Sequence, residues 1–86
     1  MSLAAAIKQT HPEAFGMRLA ESILKDIADA WGYRPQEITA PNRKRSLVSC
    51  RRAIVLELRK QGFSWPEIGD VMNRHHTTCM HLAGLR

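Results

Sequence analysis

The sequence predicts an all-α fold: a small helical bundle that contains a helix-turn-helix. Apolar residues recur at helical spacing along most of the chain, and no segment alternates as a strand would. Gly and Pro stand where such helices would end and begin. With 86 residues, 44% of them hydrophobic, the chain has room for one domain with a thin core. We place that domain at residues 12–86, after a polar tail or short helix at residues 1–11.

The first predicted helix begins at Pro12 and ends at Gly32, a residue suited to a C-terminal cap. Its apolar stripe repeats every four residues and is widened by two neighbours: Phe15, Leu19, Ile23, Ile27 and Trp31, with Ala20 and Leu24. A single helical turn with Pro at its start follows at residues 34–39, and a loop is predicted at 40–42.

A second long helix is predicted over residues 46–61, ended by Gly62. One stripe of this helix is apolar and is expected in the core: Leu47, Cys50, Ile54 and Leu58. Ser64 and Glu67 form a capping box, which opens a short helix that ends near Met72.

The last predicted helix begins at His76 or Thr77, ends at Leu85, and follows a tight turn at 73–74. The side chains expected on its buried face are Cys79, Leu82 and Ala83. Two short helices joined by a tight turn are typical of a helix-turn-helix, which we place at about residues 64–86.

Positive charge is concentrated in the second half of the chain. Residues 1–42 carry four Lys or Arg and five Asp or Glu, whereas residues 43–86 carry nine and three, so the net charges are −1 and +6. Five basic residues fall within ten positions that contain no acidic residue: Arg43, Lys44, Arg45, Arg51 and Arg52. This segregation indicates a surface that meets a polyanion, although a solvated basic face is the simpler alternative.

Composition disfavours several classes of protein. Cys50 and Cys79 stand in unrelated contexts without a CxxC pair, so they predict reduced thiols rather than a disulfide or a zinc ribbon. The longest uncharged stretch, residues 75–85, is polar and too short to span a membrane, and no signal-peptide pattern is present. We therefore expect a soluble cytoplasmic protein that uses no cofactor, and nothing in the sequence indicates an enzyme.

The start of the last helix carries side chains suited to reading DNA. In a helix-turn-helix the second helix enters the major groove, and its first residues reach the base edges. His76, Thr77 and Thr78 occupy these positions. A Thr can bond a base edge or phosphate and contact the thymine methyl group, and a His can donate to a purine. Helix capping by the two Thr residues is an alternative that is compatible with DNA contact.

Two motifs carry a resemblance to a known family. Residues 66–70, PEIGD, and 74–81, RHHTTCMH, resemble the C-terminal DNA-binding domain (domain IV) of the bacterial replication initiator DnaA, whose signature reads Asp-His-Thr-Thr-Val followed by a further His. The similarity covers roughly residues 22–86 and includes the basic triplet at 43–45. It implies a Trp-repressor-like helical bundle that binds double-stranded DNA, with a role in DNA replication initiation and its regulation, or in transcription regulation.

The resemblance also implies individual roles. Arg43 falls where the family places an Arg in the minor groove, and a narrow A·T-rich groove attracts Arg by its negative potential. Arg45 is expected at a phosphate and His81 near the backbone. Residues 76–78 fall on the signature residues that contact bases and phosphates in the major groove.

The family's Arg on the long helix has two possible counterparts. Counting from the basic triplet selects Arg51, whereas the buried Leu pattern selects Arg52, and we favour Arg51. The complete predicted DNA-binding set is Arg43, Lys44, Arg45, Arg51, Arg52, Pro66, Arg74, His75, His76, Thr77, Thr78 and His81.

The chain departs from the family pattern in three respects. His75 replaces the signature Asp, and a protonated His cannot accept from cytosine N4, so a different target sequence is expected. The turn before Arg74 and the end of the long helix are each one residue shorter. The chain has no phosphate-loop motif and no room for an ATPase domain, so we expect no nucleotide. It either acts alone or is a domain of a longer initiator.

Two other classes of function are possible. Imidazoles and a thiol near the last helix could bind metal or catalyse a reaction, but they do not form a recognised ligand set: His75, His76, Cys79 and His81. The amphipathic first helix could serve as a protein-interaction or homodimerisation surface. In a chain this short, however, such a face is more often part of the domain's own core.

Overall fold

The computed structural model describes residues 14–84 and contains five helices within them. In chain order they are α1 (Ala14–Ala30), α2 (Pro35–Thr39), α3 (Arg45–Lys60), α4 (Trp65–Met72) and α5 (His76–Leu82). Residues 14–84 contain no strand, so the all-α prediction is confirmed. The predicted tail at residues 1–11 lies outside the described residues.

Helix α3 is the centre of the bundle and contacts each of the other four helices. Its predicted core stripe is confirmed, since Leu47, Cys50, Ile54 and Leu58 are at most 2% exposed. Phe63, between α3 and α4, is also fully buried, which the periodicity of the helices did not predict. The core therefore lies between α3 and the helices packed around it.

The buried face of α1 differs from the predicted stripe. Ala20, Leu24 and Ala28 are buried, whereas Ile23 and its neighbours at the same spacing are only partly buried, and Trp31 is 46% exposed. The centre of the buried face is thus one residue further along the helix than predicted. The large apolar side chains suggested the wrong centre, because small residues, Ala20 and Ala28, occupy buried positions on either side of Leu24. The side chain of Phe15 lies outside the described part of the chain.

Both long helices end with the predicted glycines. Gly32 and Gly62 have φ values of 83° and 98°. The residue after each glycine donates its N–H back into the last turn, Tyr33 at 2.8 Å and Phe63 at 3.1 Å, as in a Schellman motif. The chain therefore turns back on the bundle, which brings the Tyr33 hydroxyl into a hydrogen bond with the Ser46 hydroxyl.

The helix-turn-helix consists of α4 and α5. The predicted capping box is confirmed: Ser64 Oγ accepts the Glu67 N–H at 3.3 Å, and the Glu67 carboxylate accepts the Ser64 N–H at 2.9 Å. Helix α5 ends at Leu82, three residues before the predicted end, and Gly84 follows with a φ of 88°. Cys79 is buried as predicted.

Candidate nucleic-acid interface

The segment between α2 and α3, residues 40–44, is called the basic loop here. Arg43 and Lys44 are exposed, and so is Arg45, which begins α3. The side-chain oxygen of Asn42 accepts the backbone N–H of Lys44 at 2.9 Å, which gives the loop a turn of its own. Asn42 belongs to the loop predicted at residues 40–42, and Asn is a residue that often stabilises a turn through its side chain.

Arg51 lies beneath the basic loop and is only 3% exposed. Its Nε donates to the carbonyl of Ile38 at 2.8 Å, and its Nη2 donates to Glu37 at 3.1 Å and Ala40 at 2.8 Å. Nη1 donates to the carbonyl of Asn42. Burial, followed by the positive charge of Arg74, lowers the pKa of Arg51. Its guanidinium remains charged because arginine does not deprotonate in proteins.

Arg74, in the turn between α4 and α5, shares two of these acceptors. Its Nη1 donates to the carbonyls of Ile38 at 3.0 Å and Met72 at 2.9 Å, and its Nη2 donates to Ala40 at 2.6 Å. We call Arg51 and Arg74 the arginine pair. Both guanidiniums thus lie at the C-terminal end of α2, where unpaired carbonyls and the helix dipole favour positive charge.

The arginine pair connects the basic loop to the helix-turn-helix through shared backbone carbonyls. This arrangement fixes the position of the loop relative to α5. It also contradicts the choice of Arg51 as a DNA-contacting residue, because its donors are already bonded to the protein and its side chain is buried. The adjacent Arg52 is exposed, so it is the accessible one of the two candidates on α3. Arg74 is half-buried and has the same positioning role.

Helix α5 presents its polar residues on one side. Thr77, Thr78 and His81 are exposed, whereas Cys79 is fully buried and faces the core. His76 is half-buried. The exposed hydroxyl and imidazole groups can donate and accept hydrogen bonds, so this side of α5 is chemically suited to reading polar groups.

His75 is the N-cap of α5. Its Nδ1 accepts the backbone N–H of Thr77 at 3.3 Å and lies 2.7 Å from Thr77 Oγ1. The ring centroids of His75 and His76 are 4.3 Å apart. Thr77 therefore does not itself cap the helix, and its hydroxyl is exposed beside the capping imidazole.

The turn between α4 and α5 is tight for two reasons. Asn73 adopts the left-handed conformation with φ 55°, which Asn tolerates better than most residues. A Cβ atom on Gly69 would lie 2.6 Å from the carbonyl oxygen of Arg74 and 3.2 Å from the backbone nitrogen of His76. The glycine of the PEIG motif is therefore needed for the close approach of the two helices.

The basic loop and α5 face a common groove. The side chains that line it include Arg43 and Asn42 from the loop, Val48 from α3, and Thr78 and Leu82 from α5. Candidate contacts for the two grooves of a duplex thus lie on one side of the molecule. Of the other predicted site residues, Pro66 is exposed in the first turn of α4.

Neither cysteine is placed for nucleophilic chemistry. Burial raises the pKa of the Cys50 thiol despite the opposing charge of Arg51, and burial likewise raises the pKa of Cys79. Both are free thiols in the core. Within residues 14–84, no three His, Cys, Asp or Glu side chains come together as a metal site.

No helix among the described residues has both the length and the apolar character needed to cross a bilayer.

A helix-turn-helix beside a firmly held basic loop places the protein in the class of small all-helical DNA-binding domains. The family model for the helix-turn-helix of the bacterial DnaA protein matches residues 20–83. The chain belongs to this family, a family of non-catalytic DNA-binding domains. No solved structure matches the chain.

Proposed function

We propose that this domain binds double-stranded DNA sequence-specifically, with α5 in the major groove and the basic loop in an adjacent minor groove. The observation that carries the proposal is the common groove, which Arg43 and Thr78 line from opposite sides. We further propose a role in DNA replication initiation or transcription regulation in the bacterial cytoplasm, without a requirement for nucleotide.

The proposed major-groove contacts are made by the exposed side of α5. Thr77 and Thr78 can bond base edges or phosphates, and their methyl groups can contact thymine. His81, one turn further along, is exposed and is proposed to contact the backbone. Because Cys79 holds the opposite side of the helix in the core, these residues can face DNA without rearrangement of α5.

The proposed backbone contacts come from the exposed basic residues. Arg43 is assigned to the minor groove, and Lys44, Arg45 and Arg52 are assigned to phosphates. Arg51 is left out of this set because it is buried. If these three residues each neutralise one phosphate, log K should fall with log salt concentration with a slope of about −2.7.

Fluorescence anisotropy on a duplex selected from a random library tests this proposal. We expect Arg43→Ala and Thr77→Ala each to weaken binding by about tenfold, since such contacts contribute roughly 1–3 kcal/mol. Arg52→Ala should weaken binding to all duplexes equally and reduce the salt slope by about one. Absence of salt-dependent duplex binding by the wild-type protein would refute the proposal.

Arg18→Ala is the matched control. Arg18 is an exposed Arg on α1, a helix that packs on α2, α3 and α4 but does not contact α5. This variant removes the same charge as Arg43→Ala from a different side of the bundle. It should leave the affinity within about twofold of wild type, because exposed charges farther than a Debye length of ~8 Å from the DNA are largely screened.

A second candidate function is homodimerisation through α1. A shallow, mainly apolar groove between α1 and α3 is lined by Ile23, Ile27, Ala53 and the exposed Trp31. Burial of this groove against a second copy would cover the tryptophan. Sedimentation at two concentrations tests the idea: an unchanged monomer mass at high concentration would refute it, and Trp31→Ser should abolish any dimer that forms.

A further inference from the structure

We propose that His75 is a specificity-determining residue whose Nε2–H selects a base with a major-groove acceptor, guanine in preference to the others. This inference rests on the proposed function, because it requires α5 to lie in the major groove. The inference identifies which base the N-terminal end of α5 recognises.

The Nδ1 atom of His75 faces the first turn of α5. Nδ1 accepts the backbone N–H of Thr77 at 3.3 Å and lies 2.7 Å from the Thr77 hydroxyl oxygen. A ring nitrogen that accepts an N–H carries no proton of its own. The neutral imidazole therefore has its proton on Nε2, so capping of the helix determines the tautomer.

The other ring nitrogen of His75, Nε2, carries the proton. His75 is exposed, and among residues 14–84 its ring forms hydrogen bonds only through Nδ1, both with Thr77. Its ring is also held from the side by His76, with a centroid distance of 4.3 Å and an interplanar angle of 33°. The Nε2–H is thus an unpartnered donor on a ring that two contacts orient. Such preorganisation lowers the entropic cost of using it in recognition.

The four bases differ in the groups that they would present to the Nε2–H of His75. In the major groove guanine presents two acceptors, N7 and O6, while adenine presents N7 beside an amino donor and thymine presents O4. Cytosine presents only its N4 amino donor. A donor on His75 would face another donor at cytosine, leaving both unpaired. The Nε2–H therefore favours guanine and rejects cytosine at the position that it reaches.

The test is selection from a random duplex library with the wild-type protein and two variants that are isosteric with each other, His75→Asn and His75→Asp. Both replacements are good N-caps, so α5 should form in each. Asn can cap with its side-chain oxygen and still present an N–H₂ donor to the groove. Asp caps with one oxygen and presents a second acceptor instead. The two variants therefore differ in whether they present a donor or an acceptor to the groove, while their side chains have nearly the same shape.

We expect the wild type and His75→Asn to select guanine at one position of the site, and His75→Asp to select cytosine there. The relative affinity for the two bases at that position should change by about tenfold or more, and preferences at other positions should stay the same. Replacing the selected guanine by 7-deazaguanine should weaken binding of the wild type more than of His75→Asp.

A second measurement needs no DNA. Long-range ¹H–¹⁵N NMR spectra at pH 8, where an ordinary imidazole is neutral, identify the tautomer of each histidine. We expect the Nε2–H tautomer for His75. The Nδ1–H tautomer would overturn the inference, as would selective DNA binding with the same base preferences in all three proteins. If the proposed function itself is wrong, the wild-type protein will instead show no duplex binding.

Discussion

Replacing Arg51 by Met tests the arginine pair most directly. The change removes a guanidinium that donates to four backbone carbonyls and leaves an apolar side chain of similar length. Two of the acceptors, Ile38 and Ala40, keep a hydrogen bond from Arg74. The other two belong to Glu37 and Asn42, which are exposed residues, so water can partly satisfy them.

The expected cost follows from these two groups of acceptors. Loss of a hydrogen bond to a charged donor costs roughly 1.5–3 kcal/mol, and two carbonyls lose their only guanidinium. Partial hydration and the apolar contacts of Met offset some of this, so we expect Arg51→Met to lower the free energy of unfolding by about 2–4 kcal/mol. For a domain of this size that corresponds to a decrease in Tm of about 10–30 °C.

Urea unfolding followed by circular dichroism measures this effect. Arg52→Met is the matched control, because Arg52 is the adjacent, exposed residue on the same helix and should change stability by less than about 0.5 kcal/mol. Arg51→Lys should recover less than half of the loss, since one ammonium group cannot reach four carbonyls. Equal stability of Arg51→Met and Arg52→Met would refute the positioning role of Arg51.

Three further predictions follow from the structure. Gly69→Ala should destabilise the domain by about 1–3 kcal/mol in the same urea assay, because its Cβ would lie 2.6 Å from the Arg74 carbonyl oxygen, and wild-type stability would contradict the close approach of α4 and α5. Cys50 and Cys79 should react with a thiol reagent at pH 8 only on unfolding, because burial raises the pKa of both, and rapid native-state labelling would disprove their burial. Asn73→Gly should be tolerated within about 1 kcal/mol, whereas Asn73→Val should be markedly less stable, because only the former accepts φ 55° at low cost; equal stability would argue against the left-handed turn.

The elements of the fold were largely predictable because each has a local signal. Gly62 and the capping box at Ser64 marked the helix ends that the structure has. The centre of the buried face of α1 was not predictable in the same way, since Ala28 and Ile27 both lie on an apolar stripe and only the packing partner distinguishes them. The two short helices and the tight turn between them predicted the helix-turn-helix, and the family match confirms it.

The bonds that Arg51 makes could not be predicted, although its burial could, because Arg51 lies four residues after Leu47 and three before Ile54 on the apolar stripe of α3. Arg51 and Arg52 both follow Cys50 on α3, and both belong to the same basic run. What separates them is the 100° step between successive residues of a helix, which directs one toward the carbonyls of α2 and the other toward solvent. Side chains that bond distant backbone carbonyls leave no pattern in the sequence, because every residue has a carbonyl.

The attachment of the basic loop through main-chain carbonyls constrains how the domain can change over evolution or in engineering. Apart from the Met72 carbonyl, the acceptors of the arginine pair are main-chain atoms of residues 37–42, which persist whatever side chains those residues carry. Substitutions in this segment can therefore alter its charge and shape while its attachment is retained, whereas the two arginines have no equivalent replacement. The exposed side chains of residues 37–42 can therefore differ between relatives, whereas the two arginines that hold this segment in place must stay the same.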